Sequence, residues 1–219
     1  MGHARDHFLR ESAKTLADSI DNPLVNANGY ELMLHKLASD RRRLKGIEST
    51  KGKVELKREL LPDYQPWVEG ALAGDGGAQD DVLMSVFVWY IDVGDFAAAL
   101  PIAEYALRHQ LQLPDQYKRT LGTLIVEEFA DQSLQQKCVP VEVLQQVDLL
   151  TLSSDMPDQV RAKLYKALGF MLAETDKQQA FDYMQKALGL HDSCGVKKDR
   201  DKLERELKNL ATASNNGEG

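Results

Sequence analysis

Two adjacent acidic pairs could contribute to a catalytic metal site in this chain of 219 residues: Asp80–Asp81 and Glu127–Glu128. A metal-dependent nuclease needs two or three carboxylates that converge on Mg²⁺, usually with a lysine nearby. Neighbouring residues on a helix point about 100° apart, so neither pair makes a site alone. Capping of helix first turns and a solvated helix face explain these acids without catalysis.

Other catalytic patterns have less support. A Glu-x-Lys pattern occurs at 55–57 and 206–208, where a charged helix face accounts for it. No GxxxxGK[ST] segment occurs, so no P-loop for ATP is encoded. Cys138 and Cys194 form no CxxC and the five histidines do not cluster, which argues against structural zinc. The sequence therefore predicts no catalytic residue, no metal and no cofactor.

A basic segment is the best candidate for binding. Residues 36–58 contain nine Lys and Arg against three Asp and Glu, whereas residues 60–219 carry a net charge of −10. Such a segment can neutralise several DNA phosphates at once, and no aromatic residue interleaves it for stacking on single strands. A soluble, charged helix is the alternative. The predicted DNA-binding residues are Arg41, Arg42, Arg43, Lys45, Lys51, Lys53, Lys57 and Arg58.

All the elements that would position these residues are predicted to be helices. We expect a flexible segment over 1–29, one long basic helix over 30–60, a compact body of antiparallel helical hairpins over 61–210, and a disordered tail over 211–219. The fold class is therefore all-α.

A near-heptad stripe on the long helix predicts a contact between subunits. If the stripe packs within one chain instead, Leu37→Asp should unfold the monomer. The predicted oligomerisation residues are Tyr30, Leu34, Leu37, Leu44 and Ile47.

Residues 82–91 form an apolar run, VLMSVFVWYI, whose only polar side chain is Ser85. Its length is about half of what a membrane helix needs, so no membrane contact is expected. Asp80 can cap a helix that Gly94 ends, and Asp95 can cap the next. The pattern predicts two helices joined by a tight turn, the first buried nearly all round.

A faint internal repeat relates two helices. Asp95 and Asp176 each precede an alanine by four residues, and an Ala-Leu pair follows at eleven and twelve residues. Small residues at these positions let a neighbouring helix approach closely, as in tetratricopeptide helix pairs. Two copies do not make an array, so the repeat indicates hairpin packing and not a solenoid.

Three stretches together resemble a known family: LPDYQPWVEGAL with GAQDDVLMSVFVWYIDVGDFAAALPIAEYALRHQLQLP, then DMPDQVRAKLYKALGFML, then GVKKDRDKLERELK. They are similar to the phage small terminase subunit of P-two-like temperate myophages, a family labelled "terminase, endonuclease subunit". The resemblance runs from about Tyr30 to Lys208.

This resemblance implies a role in viral genome packaging in the host cytoplasm. It implies binding to double-stranded DNA at the packaging (cos) site, assembly into a homo-oligomeric ring, and regulation of a large terminase subunit that carries the ATPase. Two alternatives stay open: a Mg²⁺-dependent endonuclease, as the label says, and a helical scaffold that binds only proteins.

Overall fold

The structure is a computed structural model that describes residues 2–17, 27–113, 119–136 and 139–216. Every regular element in these described ranges is a helix, so the predicted all-α class is confirmed. A single 3₁₀ turn, Leu61–Asp63, precedes α4. The helices are α1 Gly2–Ala17, α2 Ala27–Lys45, α3 Thr50–Leu60, α4 Gln65–Gly74, α5 Asp81–Val93, α6 Phe96–Arg108, α7 Leu121–Gln136, α8 Val141–Leu150, α9 Asp158–Leu172, α10 Lys177–Leu190 and α11 Lys197–Asn216.

The chain divides into two units, unit 1 (Met1–Leu121) and unit 2 (Gly122–Gly219). The sequence predicted one body over 61–210, and the division falls inside that range. In the described part of the chain, no helix is both long and apolar enough to cross a membrane.

The first segment is a helix, where the sequence predicted flexibility. In α1, Leu9 and Ala13 are buried one turn apart against α4. Gly70 of α4 allows this close approach, because a Cβ there would lie 2.1 Å from the carbonyl oxygen of Arg10. The expected flexible range extends over residues 18–26, which lie outside the described residues.

The long helix predicted over 30–60 is two helices, α2 and α3. At the end of α2, the Gly46 amide donates to the carbonyls of Arg42 and Arg43. Ser49 then caps α3 by accepting a hydrogen bond from the Gly52 amide at 3.0 Å. A glycine followed by a serine N-cap therefore ends one helix and begins the next.

The apolar run, residues 82–91, forms the buried helix that the sequence predicts. Val82 to Ile91 of α5 are all buried. Gly94 ends the helix with a φ of 79°, a conformation that a side chain would strain. Asp95 caps α6 by accepting from the Ala98 amide at 3.1 Å. Pro101 lies at the sixth position of α6 without ending it.

In unit 2, α9 and α10 form a tightly packed helical pair. A Cβ on Gly169 would lie 2.7 Å from Met184 Cγ and 3.4 Å from the Ala180 carbonyl oxygen, so the glycine permits the close approach. Asp176 caps α10 as Asp95 caps α6. The repeated alanines are fully buried in both copies: Ala99, Ala106, Ala180 and Ala187.

A buried arginine fixes the end of α8 on α9. Arg161 donates to the Thr151 hydroxyl at 2.9 Å, to the Thr151 carbonyl and to Asp148. Burial raises the pKa of Asp148 although Arg161 opposes the shift. The last helix, α11, continues to Asn216, through most of the tail that was predicted to be disordered, and 217–219 lie outside the described residues.

Candidate nucleic-acid interface

Five of the eight predicted DNA-binding cations lie around the turn between α2 and α3, and all but Arg43, which pairs with Asp40, lack an ion pair with a described residue. Arg42 and Lys45 lie on the last turn of α2, and Lys51 and Lys53 on the first turn of α3. Three of them are exposed and Lys53 is half-buried. None makes an ion pair with any residue that the structure describes. We call Arg42, Lys45, Lys51 and Lys53 the basic turn.

The other four predicted cations each contact a partner within unit 1. Arg41 donates to the Ser85 hydroxyl at 2.7 Å, and Arg43 pairs with Asp40 at 3.3 Å. Lys57 forms an ion pair with Asp92 of α5. Arg58 donates to the Val93 carbonyl at 3.1 Å. The structure therefore divides the eight predicted DNA-binding residues into two groups. Four contact partners within unit 1, and four have side chains without an ion-pair partner among the described residues.

Asp40 anchors the end of α2 that carries the basic turn. Its carboxylate is 4% exposed and accepts from Lys36 at 2.9 Å and from the Tyr64 hydroxyl at 2.8 Å. Lys36 also pairs with Asp63 at 2.8 Å. Burial would raise the pKa of Asp40, but hydrogen bonds from Lys36, Tyr64 and Arg43 outweigh it and hold that pKa below its ordinary value. An ionised Asp40 thus ties α2 to the 3₁₀ turn.

The beginning of α3 adds to the positive potential of the basic turn. The first amides of a helix lack partners within the helix, and its dipole is positive at this end. Further along α3, Leu56 and Leu60 are buried, so this half of the helix is fixed to the core of unit 1. The basic turn is therefore exposed, while Asp40 fixes α2 before it and Leu56 and Leu60 fix α3 after it.

Part of the predicted oligomerisation stripe packs inside one chain, and its assignment to a contact between subunits stays a prediction. Leu37 is 2% exposed and Leu44 is 8% exposed, both in the core of unit 1. Tyr30 stacks on Trp67 with 5.9 Å between ring centroids. Leu34 and Ile47 are half-buried. Homo-oligomer formation stays a prediction, and within this stripe Leu37 and Leu44 are buried in the monomer.

The acidic pair Asp80–Asp81 caps a helix, as the sequence predicted. Asp80 is 3% exposed and accepts from the Leu83 amide at 2.9 Å and from Trp67 Nε1 at 2.7 Å. Burial raises its pKa to about 6 despite these hydrogen bonds. Both oxygens of Asp80 are thus engaged by protein donors.

The pair Glu127–Glu128 belongs to unit 2, whereas Asp80–Asp81 belongs to unit 1. Lys163 lies between Glu127, at 3.7 Å, and Asp131, at 2.9 Å. This is the composition of a nuclease site, but here the lysine forms ion pairs with both carboxylates. No group of three or more His, Cys, Asp or Glu that could hold a metal ion occurs among the described residues.

The two Glu-x-Lys patterns are divided among separate ion pairs. Glu206 pairs with Lys177 at 2.7 Å, and Lys208 pairs with Glu204 at 2.7 Å. In the first pattern, Lys57 pairs with Asp92 instead of Glu55. A charged helix face accounts for both patterns, as expected.

Sequence reasoning missed the residues that hold the basic turn in place. Asp40, Tyr64 and Lys36 meet from elements up to 28 positions apart, and no local motif marks them. The one available signal was the position of Asp40 on the buried side of α2, between Leu37 and Leu44. An acid on an apolar stripe indicates a buried partner.

Comparison with known proteins decides the family. The family described as "Phage small terminase subunit" matches residues 34–159, more than half of the chain and all of the basic turn. This chain belongs to the phage small terminase subunit family. The resemblance drawn from the sequence is thereby confirmed, and with it a role in DNA packaging.

Two relatives of this phage small terminase subunit support the assignment. The chain is 44% identical over 210 residues to the "Terminase, endonuclease subunit" of Escherichia phage P2, across 94% of this chain and 85% of that protein. It is 26% identical over 105 residues to the "Probable terminase, endonuclease subunit" of Haemophilus phage HP1, across 48% of this chain and 37% of that protein. No solved structure matches the chain.

Proposed function

We propose that this terminase subunit binds double-stranded DNA at the packaging site through its basic turn. The observation that carries the proposal is the convergence of Arg42, Lys45, Lys51 and Lys53 around one exposed turn without acidic partners among the described residues. Lysine and arginine are mostly exposed in folded proteins, so the clustering of four such residues around one turn, and not their exposure, supports the proposal. They lie inside the region that matches the family.

Contacts to the DNA backbone are the mode that these residue types support. Each lysine or arginine that neutralises a phosphate releases counterions, so affinity falls as salt rises. The beginning of α3 adds amide donors and a favourable dipole for one phosphate. The basic turn contains no aromatic residue, which favours a duplex over stacked single strands.

We further propose that the protein acts in the host cytoplasm as a homo-oligomeric ring that recruits and regulates a large terminase subunit. The sequence contains no P-loop, so the ATP hydrolysis that drives packaging is assigned to that partner. The acidic remainder of the chain repels DNA and leaves the basic turn as the contact.

The test is a comparison of two variants with equal charge changes. In the first, Arg42, Lys45, Lys51 and Lys53 become alanine; in the second, four lysines of α11 become alanine: Lys197, Lys198, Lys202 and Lys208. Fluorescence anisotropy with a labelled cos-site duplex is measured at several salt concentrations. We expect the first variant to bind at least about tenfold more weakly, with a salt slope reduced by about 3, and the second to resemble wild type.

The α11 variant also tests the competing hypothesis that the DNA surface lies on α11. If it loses affinity and the basic-turn variant does not, the DNA surface lies on α11. If wild type does not bind the duplex at all, the protein is a helical scaffold that binds only proteins, which is the second alternative given by the sequence analysis.

Nuclease activity is the second candidate function. The names of both relatives contain the words "endonuclease subunit", which is the observation that favours it. The cluster of Glu127, Asp131 and Lys163 is the described group whose composition comes closest to a nuclease site.

A further inference from the structure

Among the four predicted DNA-binding cations that contact a partner in unit 1, Arg43 makes the longest contact. Its Nη1 atom lies 3.3 Å from Asp40 Oδ1, and 53% of its side chain is exposed. Its guanidinium makes no other hydrogen bond with a residue that the structure describes. The usual donor–acceptor distance is roughly 2.7–3.2 Å, so this hydrogen bond is weak. By comparison, Arg41 donates to the Ser85 hydroxyl at 2.7 Å.

Asp40 does not depend on Arg43 alone. Its Oδ2 atom accepts from Lys36 at 2.9 Å and from the Tyr64 hydroxyl at 2.8 Å. Lys36 is fixed in place, because it also pairs with Asp63 at 2.8 Å and lies 4.8 Å from the centre of the Tyr64 ring. Burial raises the pKa of Asp40, and the hydrogen bonds from Lys36 and Tyr64 oppose this more strongly than the one from Arg43.

The second set of partners is what makes Arg43 releasable. A buried carboxylate that loses its last partner is strongly destabilising. Asp40 keeps a cation and a hydroxyl donor when Arg43 leaves, so this cost does not arise. An ion pair as exposed as that of Arg43 contributes little, because water screens it and the long side chain loses freedom in forming it.

Arg43 also lies where DNA is expected. It follows Arg42 in the last turn of α2 and precedes Lys45 by two residues, so it borders the basic turn. A guanidinium presents several N–H donors in a planar fork that matches two phosphate oxygens at once. A phosphate at the basic turn therefore offers Arg43 a better partner than the single 3.3 Å contact with Asp40.

We propose that Arg43 is a fifth DNA contact of the basic turn, which Asp40 holds in the free protein and releases to a phosphate of the duplex. Lys36 and Tyr64 then satisfy Asp40, while Arg41, with its shorter contact, stays on its partner. The inference rests on the proposed function, because it takes the basic turn as the DNA-binding site. Asp40 thus competes with DNA for one cation and restrains the affinity of the site.

The first experiment counts the cations that contact the duplex. Fluorescence anisotropy with a labelled cos-site duplex is measured at several salt concentrations for wild type, Arg43→Ala and Arg5→Ala. Arg5 is exposed in α1, so its removal is a control with the same change of charge. We expect Arg43→Ala to weaken binding about fivefold and to reduce the salt slope by about 0.9. Arg5→Ala should change the slope by less than about 0.3.

The second experiment tests the restraint by Asp40 with a double-mutant cycle. Asparagine keeps an oxygen that can accept from Lys36 and Tyr64, but it has no charge to hold Arg43. We expect Asp40→Asn to tighten duplex binding about threefold when Arg43 is present. The gain should be at least about twofold smaller in the Arg43→Ala background, because the general effect of removing a negative charge is present in both backgrounds and cancels.

The cycle separates a DNA contact from a structural role. If Arg43 only positioned the end of α2 through Asp40, both single substitutions would weaken binding. The proposal instead requires effects of opposite sign for Arg43→Ala and Asp40→Asn. Circular dichroism confirms that each variant is folded. If Asp40→Asn does not fold, the salt slope of Arg43→Ala against that of Arg5→Ala decides.

Three results would overturn the proposal while wild type still binds the duplex. They are a wild-type salt slope in Arg43→Ala, an equal loss of slope in Arg5→Ala, and an equal gain from Asp40→Asn in both backgrounds. In each of these cases the basic turn stands as the DNA-binding site without Arg43. If wild type does not bind the duplex, the proposed function and this inference fail together.

Discussion

Trp67 donates its indole N–H to the carboxylate of Asp80 at 2.7 Å, and both side chains are buried in unit 1. The same carboxylate caps α5 through the Leu83 amide. Asp80, one of the acids that could have contributed to a metal site, thus links α4 to the buried helix α5. Tyr30 stacks on the other side of this link, against Trp67.

The Asp80 link should make stability depend on pH in a specific direction. The pKa of Asp80 is about 6 in the folded protein and about 3.9 in an unfolded chain, so the folded state binds the proton more tightly. The contribution of this group to the free energy of unfolding therefore rises as pH falls through 6, and is complete below about 4. Between pH 7 and pH 5 the gain is about 1 kcal/mol.

Urea denaturation of wild type and Asp80→Asn at pH 7 and pH 5 measures this contribution. Asparagine cannot titrate, so the change between the two pH values should be less favourable in the variant by about 1 kcal/mol. Asp40, whose pKa is lowered, loses its contribution at a more acidic pH and affects both proteins equally. An identical pH dependence for the two proteins would show that Asp80 does not titrate in this range.

A second prediction concerns the close approach of α1 and α4. Gly70→Ala should destabilise the protein by about 3 kcal/mol, because the added Cβ would lie 2.1 Å from the Arg10 carbonyl oxygen and α1 must move. Gly189→Ala is the matched control, since nothing lies within 4 Å of its Cβ position in α10. That change should stabilise by roughly 0.5–1 kcal/mol. Thermal denaturation should therefore shift in opposite directions for the two variants, and equal shifts would contradict the packing of α1.

These two sites show what the sequence could and could not predict. Caps and stops are local, so Asp80, Gly94 and Asp95 were assigned correctly from a few neighbouring residues. The burial of α1 depends on Gly70, about 60 positions away, and nothing within residues 2–17 indicates it.

The candidate DNA-binding site was likewise predictable from the sequence only in part. The basic composition around the turn was visible in the sequence. Which cations remain unpaired depends on Ser85, Asp92 and Val93, which α5 brings against α2 and α3 from at least 35 positions away. The cap at Ser49 determines that the predicted long helix breaks after Gly46.

The third prediction tests the use of the apolar stripe of α2. Leu37→Asp should unfold unit 1, since an unpaired carboxylate would replace a side chain that is 2% exposed, at a cost above about 4 kcal/mol. Leu32→Asp, on the same helix, is the control because Leu32 is 58% exposed, and it should change stability by less than about 0.5 kcal/mol. Circular dichroism and size measurement report both effects. A folded Leu37→Asp variant with a smaller assembly would restore the stripe to a contact between subunits.

The last prediction is that the isolated protein does not cut DNA and that cleavage appears only with its large terminase partner. In-line hydrolysis of a phosphodiester requires one or two metal ions held by carboxylates from separate elements, with a positioned base or lysine. Both oxygens of Asp80 accept hydrogen bonds, from Trp67 and Leu83, and Lys163 pairs with Glu127 and Asp131. We expect supercoiled plasmid carrying cos to stay intact for hours with purified protein and Mg²⁺, and to be linearised when the large subunit and ATP are added. If the protein alone nicks the plasmid, Glu127→Gln and Asp80→Asn identify the responsible unit, since each removes one carboxylate from one unit. Loss of cutting in either variant, with its circular dichroism unchanged, would make this subunit the nuclease.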